Sequence, residues 1–149
     1  MEYLIYMLIA FAAIFVFVGK RFYKIWMCGF IGVGIMLLVD LLGTGYNFYA
    51  YPRGILYLGG IPVLHIFQTY ASSILYLNWL PRRRELRVAY TILASALFLA
   101  VEAIMYHTGA VIYPNWNLAY SFIILIFGLS VLGYLSDFVI KDEVEEETL

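Results

Sequence analysis

Apolar runs of membrane-crossing length take up most of this chain, and no other feature constrains its fold as strongly. Five follow one another: Tyr3–Val18, Ile25–Leu42, Ile55–Leu80, Val88–Tyr106 and Leu118–Ser136. A helix crosses the ~30 Å hydrocarbon core with about 20 apolar residues. Inside that core each backbone N–H and C=O must be paired, which a helix does within its own segment. The expected fold is therefore all-α: a polytopic membrane helix bundle with five transmembrane helices over residues 1–136, then an acidic cytoplasmic tail over residues 137–149. With 64% hydrophobic and only 13% charged residues, the chain has too little charge to cover a soluble surface. Tyr3–Val18 is near the lower limit for spanning. Ile55–Leu80 is longer than needed, and Gly59, Gly60 and Pro62 predict a kink there, or a short interfacial piece before the membrane helix proper.

Charge sets the expected orientation. Lys20, Arg21 and Lys24 lie between the first two runs, and Arg82, Arg83, Arg84 and Arg87 between the third and fourth. The loop before the third run has only Arg53, and the loop before the fifth has neither lysine nor arginine. Cytoplasmic loops carry the excess of Lys and Arg, so the N-terminus is expected outside and the C-terminus inside, in a multi-pass protein of the cell membrane. A secretory signal has its positive charge before the apolar core; here Glu2 precedes it and the basic cluster follows. The basic runs are too short for nucleic-acid binding. Arg82, Arg83, Arg84 and Arg87 are candidates for anionic lipid head groups. Cys28 is the single cysteine, which excludes an internal disulfide and a Cys/His zinc cluster.

Within Gly59–Leu80, His65, Gln68, Thr69, Ser72 and Tyr76 recur at spacings of three and four. They share one helical face, and that face cannot meet lipid without penalty. Two further ionisable groups lie on the flanking runs, Asp40 and Glu102. Asp40 is 15 residues past Ile25, Glu102 15 past Arg87, and His65 15 before Leu80. At ~1.5 Å per residue, each stands roughly 22 Å from the inner boundary, in the outer third of the core. Intramembrane ionisable groups are costly and mark sites or pair with one another. Asp40, His65, Gln68 and Glu102 are thus the candidate ligand-binding residues, able to bind a cation, relay protons or hold a polar head group. They match no recognised metal motif, and no cofactor is indicated. The bland alternative is that they only satisfy each other across helix contacts. For Thr69, Ser72 and Tyr76, helix–helix contact is the stronger expectation. Cys28 and Gly32 are small enough to admit a neighbouring helix. Trp26, Trp79 and Trp116 read as interface anchors, and the tyrosines around Asn47 and Pro52 as an aromatic belt.

Tyr51-Pro52-Arg53, the acid Glu102 and the run Thr108–Phe122 resemble a family of small bacterial integral membrane proteins with five spans and no known function. The resemblance covers runs two to five and implies architecture, not activity. Gly59-Gly60-Ile61-Pro62-Val63 is similar to a turn in the lycopene-cyclase-type membrane domain, but Leu64 and His65 stand where that family has two acids. The acid chemistry of that domain is therefore not carried over.

The function expected from the sequence is non-enzymatic: binding of a small molecule, ion or lipid between helices 2, 3 and 4, or membership of a larger membrane complex. Five short spans enclose little interior, so a homo-oligomer or a membrane-protein partner is expected beside the lipid bilayer. Two alternatives remain: an intramembrane enzyme acting on an isoprenoid or lipid, with Glu102 or Asp40 as general acid, and a purely structural partner.

Overall fold

The structure, a computed structural model, describes residues 1–146, with side chains through residue 140. It is mostly helical, with five helices: α1 (Glu2–Phe17), α2 (Phe22–Gly45), α3 (Val63–Asn78), α4 (Arg84–His107) and α5 (Leu118–Glu146). Three stretches are long and apolar enough to cross a membrane: Gly19–Gly45, Arg84–His107 and Leu118–Ile140. α1 and α3 are shorter at 16 residues each, about 24 Å at the helical rise.

The helix ends follow from local sequence. Three helices stop where a residue adopts the left-handed conformation just past the C-cap: Gly19 after α1, Asn47 after α2 and Gly109 after α4. Glycine and asparagine are the residues that take this conformation at least cost. The long third run is broken. Its first part is a small antiparallel hairpin, β1 (Tyr57–Leu58) on β2 (Ile61–Pro62), and only Val63 begins the helix. Gly59 and Gly60 form the turn, both at positive φ, as a two-residue hairpin turn of the primed type requires. In place of the expected 26-residue span there is a 16-residue helix with a short hairpin before it.

α3 lies at the centre, packed on α1 and α2; α2 also packs on α5, and α5 on α4. Close approach of α2 and α3 depends on missing side chains. A Cβ on Gly32 would stand 2.0 Å from Ser73 Oγ, and one on Gly29 2.5 Å from the Tyr70 ring. One core cluster joins Ile14, Ile25, Cys28, Ile74, Leu77 and Leu132. A second joins Tyr3, Tyr49, Met105, Ala110 and Val111.

Polar contacts tie each end of the bundle. At one end Arg21 donates to the Asn78 carbonyl at 2.6 Å, and Arg87 donates twice to Asp137, at 2.5 and 3.1 Å, and once to the Pro81 carbonyl. This is the basic end. At the other, aromatic end, Tyr3 Oη donates to the Ala110 carbonyl at 2.6 Å, and Ala50 and Ile112 exchange backbone bonds. Arg53 approaches Glu2 there at 3.5 Å. α5 does not break at Ser136, so Asp137 lies within a helix. The side chains of residues 141–149, which carry most of the expected acidic tail, lie outside those described.

Candidate functional site

The four candidate residues line one cavity of about 240 Å³ between the two core clusters. α2 contributes Gly32, Met36 and Asp40; α3 contributes His65, Gln68, Thr69, Ser72 and Ser73; α4 contributes Phe98, Val101, Glu102 and Met105. α5 closes the far side with Ser121, Leu125, Gly128, Leu129 and Leu132. The polar stripe of α3 thus faces an interior space, which is the placement its helical spacing demanded. Only its last member, Tyr76, leaves the cavity for a helix–helix contact, a 2.8 Å bond with Thr91 of α4.

Asp40 is 6% exposed. Its Oδ1 accepts a 2.9 Å bond from Tyr49 Oη, and its Oδ2 lies 3.3 Å from His65 Nε2. That second approach is within ion-pair range but lacks hydrogen-bond alignment. Among the described residues, Asp40 Oδ2 therefore has no hydrogen-bond donor, and neither His65 Nδ1 nor Gln68 Oε1 has a partner. A buried polar atom left unpaired costs about 1–3 kcal/mol. Three of them lining one cavity form an unusual concentration, because native interiors pair nearly all such atoms.

Glu102 belongs to a separate polar group within the same walls. Its Oε1 accepts a short bond from Tyr113 Oη and a 2.6 Å bond from Ser121 Oγ. Ser121 in turn accepts from Trp116 Nε1 at 2.9 Å. Asp40 and His65 meet directly, therefore, while Glu102 shares their cavity through its own hydroxyl partners.

Five wall residues were not legible as site residues: Tyr49, Tyr51, Tyr113, Trp116 and Ser121. The tyrosines and Trp116 read as interface belt, yet Trp116 is half-buried and stacks on Phe48 at 5.4 Å. From Trp116 the rings form a collar: Trp116 to Tyr49 5.6 Å, Tyr49 to Tyr51 5.8 Å, Tyr51 to His65 5.4 Å. A Cβ on Gly43 would stand 2.2 Å from the Tyr49 ring, so the glycine at the end of α2 seats that phenol against Asp40. Burial first, and then the nearby Asp40 charge, push the Tyr49 and Tyr51 phenols well above their ordinary value. Burial and then Glu102 do the same to Tyr113. These phenols stay protonated at neutral pH and serve as hydrogen-bond donors to the acids.

Of the arginines considered for lipid head groups, Arg87 is engaged by Asp137 and Pro81, while Arg82, Arg83 and Arg84 are exposed at the basic end. Among the described residues no three His, Cys, Asp or Glu side chains are grouped so as to hold a metal ion. What the arrangement offers chemically is two carboxylates, an imidazole and an amide around an aromatic-walled space whose α5 side is apolar. Comparison of the chain with protein-family models, curated proteins and solved structures finds no match, so its function has to be argued from this site.

Proposed function

We propose that the chain is a multi-pass integral membrane protein whose helices form a binding site for a small amphipathic molecule near the outer face of the bilayer. The observation that carries this reading is the cavity itself, with three buried polar atoms on its walls still uncommitted. Polar atoms on the wall of a cavity this size are met by water or by a bound molecule, and a bound molecule with matching polar groups gains by taking the water's place.

The membrane part of the proposal is supported by the distribution of exposed side chains. Ile5, Leu8, Ile9, Phe15 and Phe17 on α1, Leu93 and Leu97 on α4, and Ile123 and Phe127 on α5 are all outward and large. So extensive an apolar surface needs a non-aqueous surround. All five helices crossing, N-terminus outside, agrees with the alternation of ends. Lys20, Arg21, Lys24 and the Arg82–Arg84 run fall at the basic end, with Arg53 at the aromatic end. α3 is short for a crossing, but it is wrapped by its neighbours and capped by the hairpin, so few of its ends meet lipid. Such an orientation puts Asp40, His65 and Glu102 toward the outer leaflet. One chain supplies every wall named above, so the site does not call for a second copy.

Native mass spectrometry on protein released from mild detergent tests the binding reading. Wild type should retain a small-molecule or lipid adduct that Ser72→Trp, which fills the cavity, does not retain. Spectra free of adduct in both proteins would overturn it. Orientation is tested with a cysteine at Arg83 in a Cys28→Ala background. Labelling by an impermeant maleimide in intact cells would reverse the topology.

A further inference from the structure

The charge balance of the cavity specifies what it takes. Its lining includes two carboxylates, Asp40 and Glu102, and no lysine or arginine. A buried carboxylate is expensive unless a cation or several donors compensate it. Glu102 has two hydroxyl donors, both on Oε1. Asp40 has the Tyr49 phenol on Oδ1, the Tyr51 phenol close by and a misaligned imidazole beside Oδ2. The walls therefore bring two acids to one space with no lysine or arginine beside them. Asp40 Oδ2 and Gln68 Oε1 are acceptors with no hydrogen-bond partner among the described residues.

Resting on the binding reading above, we infer that the site takes a primary ammonium group bearing an apolar tail. A primary ammonium brings one positive charge and three N–H donors, which suits a cavity lined by two acids and by acceptors without a partner among the described residues. A quaternary ammonium has the charge and would enjoy the aromatic collar, but it would leave the acceptors unpaired. An alcohol supplies one donor and no charge. The tail lies along the α5 wall. From Ser121 to Leu132 that wall runs 11 residues, about 16 Å, with only apolar side chains and Gly128 facing the cavity after Ser121. An anionic group in the ammonium's place would meet no lysine or arginine on these walls.

The source of the ammonium is either a free alkylamine or the head group of phosphatidylethanolamine. The test uses the full chain in nanodiscs of phosphatidylcholine, titrated calorimetrically with n-hexylammonium, n-hexyltrimethylammonium and n-hexanol, with empty nanodiscs subtracted. Hexylammonium should bind at least tenfold more tightly than either of the others. Asp40→Asn and, separately, Gln68→Leu should each weaken it by tenfold or more while leaving hexanol unchanged. If Asp40→Asn does not fold, the order of the three probes on wild type decides alone. Replacing a third of the lipid by phosphatidylethanolamine distinguishes the sources. Competition with hexylammonium assigns the head group, and unchanged binding assigns the free amine. Trimethylammonium or hexanol binding as tightly as hexylammonium overturns the ammonium inference and leaves the binding reading standing. Failure of all three probes, together with adduct-free native spectra, removes both.

Discussion

Gly32 offers a sharp test of how α2 and α3 are held, and through them of how Asp40 meets His65. A Cβ at position 32 would lie 2.0 Å from Ser73 Oγ and 2.7 Å from Ser73 Cβ. The hydroxyl cannot simply swing away, because it donates to the Thr69 carbonyl at 2.8 Å. Even if it did, the Ser73 Cβ is fixed to the α3 backbone, so the helices must part by roughly 1 Å to restore ordinary contact. Gly34, two residues on along the same helix, has nothing within 4 Å of the equivalent position. Replacing a mid-helix glycine by alanine gains about 0.5–1 kcal/mol of backbone entropy, while overpacking a tight contact costs about 1–3 kcal/mol. Gly34→Ala should therefore stabilise, and Gly32→Ala should destabilise by about 0.5–2 kcal/mol once the propensity gain is deducted. Because that gain is common to both, their difference isolates the steric cost at about 1–3 kcal/mol. Circular dichroism of unfolding in mixed dodecyl-sulfate micelles reads both values, and Ser73→Gly should restore part of the loss in the Gly32→Ala protein. Asp40 lies two turns farther along α2, so the parted helices should also weaken hexylammonium binding. Equal shifts in the same direction for Gly32→Ala and Gly34→Ala would refute the contact.

Three further outcomes follow from other parts of the fold. Arg87→Met should lower stability by about 0.5–1 kcal/mol, the range for a partly exposed bidentate pair, and the swap Arg87→Asp with Asp137→Arg should recover most of it in thermal melts. Tyr3→Phe removes the donor that meets the Ala110 carbonyl among the described residues, at a carbonyl whose residue has no exposure, and should cost about 1–3 kcal/mol in the same melts. Alkali should unfold the protein through its loop phenols. Tyr49, Tyr51 and Tyr113 hold their protons above 10.0, the ordinary value, so between pH 10 and their folded values the unfolded chain has released protons the folded chain retains. Stability is then complete below pH 10 and falls above it by about 1.4 kcal/mol per pH unit for each phenol. Absorbance at 295 nm should accordingly show these phenols ionising only together with loss of helix.

The parts of this architecture that could be read in advance are those governed by a period or a sum along one segment. Three of the five apolar runs reappear as helices long enough to cross a membrane, because the requirement of a lipid surround falls on each helix separately. The α3 stripe is legible because residues three and four apart share a face whatever surrounds it. Asp40, His65 and Glu102 were singled out from the rise per residue along their helices, and the three line one cavity. The acids' partners obey no such rule. Tyr49 reaches Asp40 because α2 ends at an αL asparagine and the chain turns back over Gly43. Tyr113 and Trp116 come to Glu102 and Ser121 while Ala50 and Ile112, 62 residues apart, exchange backbone bonds. Arg87 looks like its neighbours Arg82–Arg84 until Asp137, 50 residues later, occupies it. In each case the deciding contact joins distant segments whose composition would serve equally well as an interfacial belt or a topology signal. The aromatic loops illustrate the consequence. Their tyrosines carry the amphipathic character that suits a bilayer surface, and the same hydroxyls, turned inward, donate to Asp40 and Glu102. An interface composition and a binding-site composition are therefore the same residues in two placements. What separates them is whether a buried acid lies within a hydrogen bond of the ring.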